Sequence, residues 1–182
     1  DNNFPAETAA SENYAYDVIW SPQISILYKP NILQTFYMSA SRGFSLPSVE
    51  ETLTANGLIN SDIKPESGYN FEIGGKFYFL NRRLYTEASI YRMQIKDLLV
   101  ARRVGDDQYV GVNAGETLHQ GIEALINFNT KICNLISLNT YVSGSFGQYT
   151  FEDFKDNGND FSGNRLTGVP HSKMNAGITF NY

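Results

Sequence analysis

The sequence predicts an all-β chain of antiparallel transmembrane strands of the up-and-down barrel kind. Three observations predict it. Apolar and polar residues alternate with period 2 along the chain, the mark of strands with two unlike faces. The connections between the alternating runs are short and long in turn. Aromatic residues make up 14% of the 182 residues and glycine occurs 15 times, so strand and turn formers are abundant.

In chain order, the first run lies between Pro22 and Tyr28, where Ile24, Ile26 and Tyr28 alternate, and the second carries Phe36, Met38 and Ala40 between Gln34 and Ala40. From Tyr69 to Phe79 the set Tyr69, Phe71, Ile73, Gly75, Phe77 and Phe79 alternates with Asn70, Glu72, Gly74, Lys76 and Tyr78. The run from Leu84 to Ile95 is mixed, with Glu87 and Arg92 on opposite parities. From Ile122 to Thr130 the apolar positions are Ile122, Ala124, Ile126 and Phe128. The clearest alternation runs from Leu135 to Phe146, with Ile136, Leu138, Thr140 and Val142 against Ser137, Asn139, Tyr141 and Ser143. Met174, Ala176, Ile178, Phe180 and Tyr182 close the series. About seven strands are expected, longer than the roughly 5 or 6 residues of soluble strands and suited to the roughly 9 to 11 that cross a bilayer with tilt.

Lys29 to Leu33, Asn81 to Arg83 and Lys131 to Asn134 read as short turns, whereas Ser45 to Pro65 and Phe151 to Pro170 read as long polar loops. A hairpin with its tip at Gly105-Asp106-Asp107, between Val100 and Gly115, is expected to extend its two strands beyond the membrane. Bacterial outer-membrane barrels place short turns in the periplasm and long loops outside. On that rule Asp1 to Asn13 and the long loops are extracellular, and Tyr182 ends on the periplasmic side. Phe and Tyr rings face lipid, polar residues face the lumen, and the barrel must close because lipid offers no hydrogen bonds.

Composition excludes several functions. With 14 Lys+Arg against 19 Asp+Glu and a net charge of −5, no basic footprint exists for nucleic acid. The single cysteine, Cys133, forbids an internal disulfide, and His119 and His171 are far apart, so no metal or other cofactor is expected. No apolar run approaches the roughly 20 residues of a membrane helix. The start, Asp1-Asn2-Asn3-Phe4-Pro5, has no signal-peptide pattern and reads as a mature or cut chain. Nucleophile elbow, phosphate loop and metal-protease helix motifs are missing, so no enzyme is expected. In the acidic stretch from Glu152 to Asp160, aligning Gly158 with the invariant glycine of a calcium loop puts Lys155 and Asn164 where ligands belong, and the alignment fails. Arg102 and Arg103, beside Tyr109 near the hairpin tip, are the candidate ligand-binding residues: guanidinium and aromatic groups suit an anionic ligand by charge and stacking.

A series of motifs then occurs in order. Ser41-Arg42-Gly43-Phe44 with Leu46-Pro47-Ser48-Val49-Glu50-Glu51 resembles the strand end and loop start of TonB-dependent receptors. Ile63-Lys64-Pro65-Glu66 with Tyr69-Asn70-Phe71-Glu72-Ile73-Gly74-Gly75-Lys76 is similar to that family's "LKPE…YE-G-K" segment. Tyr91 with Ile95-Lys96-Asp97-Leu98-Leu99, then Val112-Asn113-Ala114-Gly115, then Gly121-Ile122-Glu123 follow in the family's order and spacing. Gly163-Asn164-Arg165-Leu166-Thr167-Gly168-Val169-Pro170-His171 resembles a loop return before a late barrel strand. The resemblance covers about three quarters of the chain.

It implies a partial barrel domain over residues 1–182, roughly a third of a 22-stranded barrel from its later half, with the plug domain and TonB box absent. It also implies an outer-membrane receptor of a Gram-negative cell that binds and imports a scarce nutrient, a ferric siderophore first of all. Its partners would be outer-membrane lipid, lipopolysaccharide and, through the missing plug region, TonB. The motif residues Arg42, Gly43, Phe44, Pro47, Pro65, Glu66, Glu72, Gly74, Lys76, Asn113, Gly115, Gly121, Glu123 and Pro170 are expected to serve architecture, with Glu66, Glu72 and Glu123 hydrogen-bonding on the lumen side. A small structural or adhesive barrel and a soluble β-sandwich binding module stay open as alternatives.

Overall fold

The structure, a computed structural model, describes residues 18–49, 51–53, 59, 60, 62–106, 108–113, 115–156 and 158–182. The predicted extracellular stretch Asp1 to Asn13, Glu50, Ala114 and the hairpin-tip residue Asp107 lie outside the described residues. The strands are β1 (Gln23–Asn31), β2 (Gln34–Ser45), β3 (Glu66–Phe79), β4 (Leu84–Lys96), β5 (Leu99–Gly105), β6 (Gln108–Asn113), β7 (Glu116–Lys131), β8 (Ser137–Asp153), β9 (Lys155–Asp156), β10 (Asn159–Asp160) and β11 (Ser172–Asn181). Seven of them form one antiparallel sheet in the order β1-β2-β3-β4-β7-β8-β11. These are the seven alternating runs, joined as neighbours in an up-and-down meander.

Register makes the alternation physical, because paired residues share a face. Ile24 pairs with Ala40, Ala40 with Phe71, Met38 with Ile73, Ile73 with Ile90, Ile90 with Ile122 and Ile122 with Phe146. One face of the sheet is therefore continuous hydrocarbon, and it is open: Ile24 is 66% exposed, Ile73 60%, Phe146 65% and Ile178 68%. Among the described residues Ile63 alone of the hydrophobic side chains is buried. A soluble sandwich would bury this face against a second sheet; a membrane wall leaves it to lipid.

The outward face also has an edge. β4 presents Leu84, Thr86, Ala88 and Ile90 and then Arg92 and Gln94. β7 presents Phe128, Ile126, Ala124 and Ile122 and then Gln120, and β8 passes from Phe146 to Gln148. Arg92, Gln120 and Gln148 stand in one row, with Gln120 Nε2 donating to Gln148 Oε1 at 3.3 Å. Leu138 to Phe146 rises about 27 Å along the strand, roughly 20 Å of height at barrel tilt, near the ~25 Å apolar band of outer-membrane barrels.

At the opposite end the turns are tight. Leu33 N–H donates to Asn31 Oδ1 at 2.8 Å, and Ile132 N–H to the Ile136 carbonyl at 2.9 Å. Leu80, Asn81 and Arg82 have φ of 52°, 55° and 66°, three successive left-handed residues that reverse the chain between β3 and β4.

Several boundaries differ from the sequence-based expectation, among them the starts of β3 at Glu66 and of β7 at Glu116, earlier than Tyr69 and Ile122. β1 continues past Tyr28 to Asn31, with a register shift between Tyr28 and Asn31, where Pro30 lacks the N–H that a regular ladder needs. β2 runs on to Ser45, and β8 to Asp153, because the upper strand ends mix polar residues with isolated rings such as Phe44 and Phe151 and lose the regular alternation. The hairpin β5–β6 is not an extension of β4 and β7 but a separate two-stranded sheet. Asp97, with φ 56°, and Gly115, with φ 60°, break the strands at its base.

Candidate functional site

The inward face is built from the residues between the lipid-facing ones, and tyrosines dominate it. Several of them need space beside them, which glycine supplies. The Tyr37 ring lies where a side chain on Gly74 would stand, and Tyr141 occupies the same place beside Gly177 and Tyr91 beside Gly121. The rings thus lie flat along the wall instead of filling the lumen.

Their hydroxyls are tied to carboxylates and to one another. Tyr37 Oη donates to Glu72 Oε1 at 2.8 Å, Tyr85 Oη donates to Glu87 Oε2 at 2.6 Å, and Tyr91 Oη and Tyr149 Oη are 2.9 Å apart. Lys76 Nζ stands 3.0 Å from Glu87 Oε1 and 5.8 Å from the centre of the Tyr37 ring. Two adjoining hollows of about 450 and 510 Å³ share Glu72, Ser89 and Glu123; Lys173 completes the first, and Asn70 and Tyr91 the second. Charged oxygens, hydroxyls and amides line both, beside Leu125 in the first and Phe44, Met93 and Ile95 in the second, a surface able to hold a ligand or polypeptide by hydrogen bonds and apolar contact.

Above this wall sits the mouth. Asn113 Nδ2 donates to the Asp97 carbonyl at 2.7 Å and to the Lys64 carbonyl at 2.9 Å, while its Oδ1 accepts the Lys64 N–H at 2.9 Å. Glu66 Oε1 accepts the Leu99 N–H at 2.6 Å. A side chain on Gly115 would fall on the Asp153 carbonyl, so only glycine fits that corner. Half-buried His119 packs edge-on against the Tyr149 ring, with centroids 5.4 Å apart.

The structure distributes the predicted residues among these regions. Glu72, Gly74, Lys76, Gly121 and Glu123 lie on the inward wall, and Glu66, Asn113 and Gly115 knit the mouth. Arg42 points outward, its guanidinium 5.7 Å from the Tyr69 ring centre and its buried Nε without a partner among the described residues. Gly43 and the exposed Phe44 end β2, Pro47 and Pro65 lie at the two ends of the long loop, and Pro170 precedes β11. The ligand trio is divided: Arg103 pairs with Tyr109 but Arg102 pairs with Val110, so Arg102 and Tyr109 occupy opposite faces of the hairpin. Tyr37, Tyr85, Tyr91 and Tyr149 went unnoticed as a set. Tyr37 and Tyr91 register beside Gly74 and Gly121, a signal visible only once the pairing is known, whereas Tyr85 pairs with Tyr78 and Asn127 and Tyr149 with His119.

The family model described as TonB dependent receptor-like, beta-barrel matches residues 1–182. The chain belongs to this family. Solved receptor structures are also similar to it in three dimensions. The alcaligin outer-membrane receptor FauA from Bordetella pertussis superposes with a TM-score of 0.57 at 19% identity, over 91% of this chain and 27% of that one. The siderophore receptor PirA from Acinetobacter baumannii gives 0.56 at 20% identity, over 87% and 26%. The pyoverdine receptor FpvA from Pseudomonas aeruginosa gives 0.54 at 17% identity, over 87% and 22%. At these identities the likeness is one of fold, and the chain spans about a quarter of each of these receptors. The family is one of outer-membrane β-barrel receptors and transporters.

Proposed function

We propose that this chain is a wall-and-mouth segment of an outer-membrane receptor that binds a ferric siderophore outside a Gram-negative cell and imports it. The remaining strands of an approximately 22-stranded barrel and a plug would lie elsewhere in the protein. The observation that carries the reading is the sheet's inverted burial: hydrocarbon is exposed on one face, and hydrogen-bonded tyrosines and carboxylates line the other. The siderophore class is supported by neighbours of the same fold that are named as receptors for siderophores, alcaligin and pyoverdine among them.

In this reading the segment has no catalytic role. Its outward band meets lipid, the polar row at Arg92, Gln120 and Gln148 meets lipopolysaccharide headgroups, the inner wall faces the plug, and TonB acts through that plug. The hairpin bearing Arg102, Arg103 and Tyr109 faces the ligand. The test is growth of iron-starved cells that carry or lack the full gene on a panel of ferric siderophores, haem, vitamin and oligosaccharide. Loss confined to one ferric siderophore is the expected result; loss on a vitamin or sugar alone refutes the ligand class. Arg103→Ala and Tyr109→Ala are expected to weaken binding roughly tenfold each, as for a hydrogen-bonded or stacked anchor at a ligand site.

A further inference from the structure

Two outer loops distant in sequence meet at one side chain. With its three bonds Asn113 takes both the N–H and the carbonyl of Lys64, as a neighbouring strand would, and also the carbonyl of Asp97. Lys64 lies at the end of the long loop between β2 and β3; Asp97 precedes β5 and Asn113 is the last residue of β6. The contact is reinforced at two further places. Glu66 takes the Leu99 N–H at the foot of β5, and Gly111 on β6 lies so close to Glu51 that a side chain there would strike the Glu51 carbonyl. A lone two-stranded ribbon has little stability of its own.

We infer that Asn113 is a positioning residue that clamps the hairpin to the loop between Ser45 and Glu66, so that both project from the membrane as one body. Asparagine is required because the site presents one donor and two acceptors to one side chain. Aspartate would set a carboxylate against two carbonyl oxygens, and alanine would leave all three backbone groups unmet. The coupling itself needs no ligand; its bearing on affinity rests on the function proposed above.

The test uses the full-length receptor with Cys133→Ser, which removes an exposed thiol, and nitroxide labels at Val49→Cys and Val104→Cys, both exposed positions on the two loops. Electron–electron distance measurements are expected to give one narrow distribution. Asn113→Ala and Asn113→Asp are expected to broaden it at least twofold while the barrel stays folded, as judged by resistance to unfolding in sample buffer. An unchanged width in both overturns the clamp. Where Asn113→Ala fails to assemble, Gly111→Ala is read instead: a longer mean distance supports the contact and an unchanged mean refutes it. Ferric siderophore affinity measured on the same samples separates the two proposals. A broadened distribution with unaltered affinity upholds the clamp and removes the hairpin from the ligand site.

Discussion

The membrane-level wall and the mouth above it are parts of the same strands, yet different forces hold them. In the wall each strand bonds its neighbours through the backbone ladder, which between β7 and β8 runs from Lys131–Ser137 to Glu116–Asp153. That is what a lipid environment demands of backbone groups. In the mouth the backbone turns away from the ladder, and single side chains take over its bonds. Asn113 and Glu66 do so at the hairpin, and Ser48 and Glu51 exchange backbone-to-side-chain bonds of 2.8 and 3.3 Å in the long loop. The wall therefore specifies a pattern of residue classes, and the mouth specifies individual residues.

The largest effect that can break this comparison lies in the wall. Ile126→Arg puts a charge on the outward face inside the apolar band, and a loss of about 2–4 kcal/mol is expected. Asn129→Arg, three residues along but inward and exposed, is expected to cost less than about 1 kcal/mol. Denaturant unfolding of the full-length receptor in lipid vesicles measures both. Equal costs at the two positions would remove the assignment of lipid and lumen faces.

A second contrast concerns glycine. At Gly121 an added methyl would meet the Phe146 carbonyl and the Gly147 Cα, both backbone, so the strands must shift. Gly121→Ala is expected to cost about 1–3 kcal/mol, as overpacking does. Gly43 has open space around it, and Gly43→Ala is expected to stay within about 0.5 kcal/mol of the parent. Thermal unfolding of the two variants gives the comparison. A smaller change comes from Lys76→Met. Its partner Glu87 keeps the Tyr85 hydroxyl, and both charged side chains are partly exposed, so at most about 1 kcal/mol is expected.

The same division explains what was legible in the sequence. Alternation such as Ile122, Ala124, Ile126 and Phe128 is read one residue at a time, and it located every strand of the main sheet. Face and order followed from it. The hairpin's separate sheet was hidden, because it depends on a left-handed Asp97, a conformation that nothing in its neighbours announces. The clamp was hidden for another reason: Asn113 and Lys64 lie 49 residues apart, so the motifs holding them were recognisable but not their contact. The division of Arg102 from Tyr109 likewise needed the register of β5 on β6. So did the loop return, where Leu166 N–H bonds the Tyr149 carbonyl and Gly147 N–H the His171 carbonyl, covering the upper edge of β8.

The smallest expected effect belongs to the mouth and is a matter of pH. In the loop after β8, Asp160 Oδ1 accepts the Ser162 N–H at 2.9 Å, and Ser162 Oγ accepts the Phe154 N–H at 3.2 Å. The Ser162 hydroxyl first, and its N–H second, hold the Asp160 carboxyl below the ordinary aspartate range. A depressed value in the folded loop means that the stabilisation is fully present above the unfolded value of about 4. It is lost as pH falls through the folded value. Neutral pH therefore leaves the loop intact, and the tilted Phe154 and Phe161 rings, 5.7 Å apart, are expected to separate only in acid. Because Asp160 is fully exposed, the change is local and small. An environment-sensitive dye at Asn159→Cys, an exposed position, in the Cys133→Ser background, should report a transition with its midpoint below about 4. Ser162→Ala should move that midpoint up toward the ordinary aspartate value, and Asp160→Asn, whose amide oxygen accepts the same bond at every pH, should abolish it. A parent midpoint already at the ordinary value, unmoved by Ser162→Ala, would mean that this corner of the mouth is held by its packed rings and not by single polar side chains.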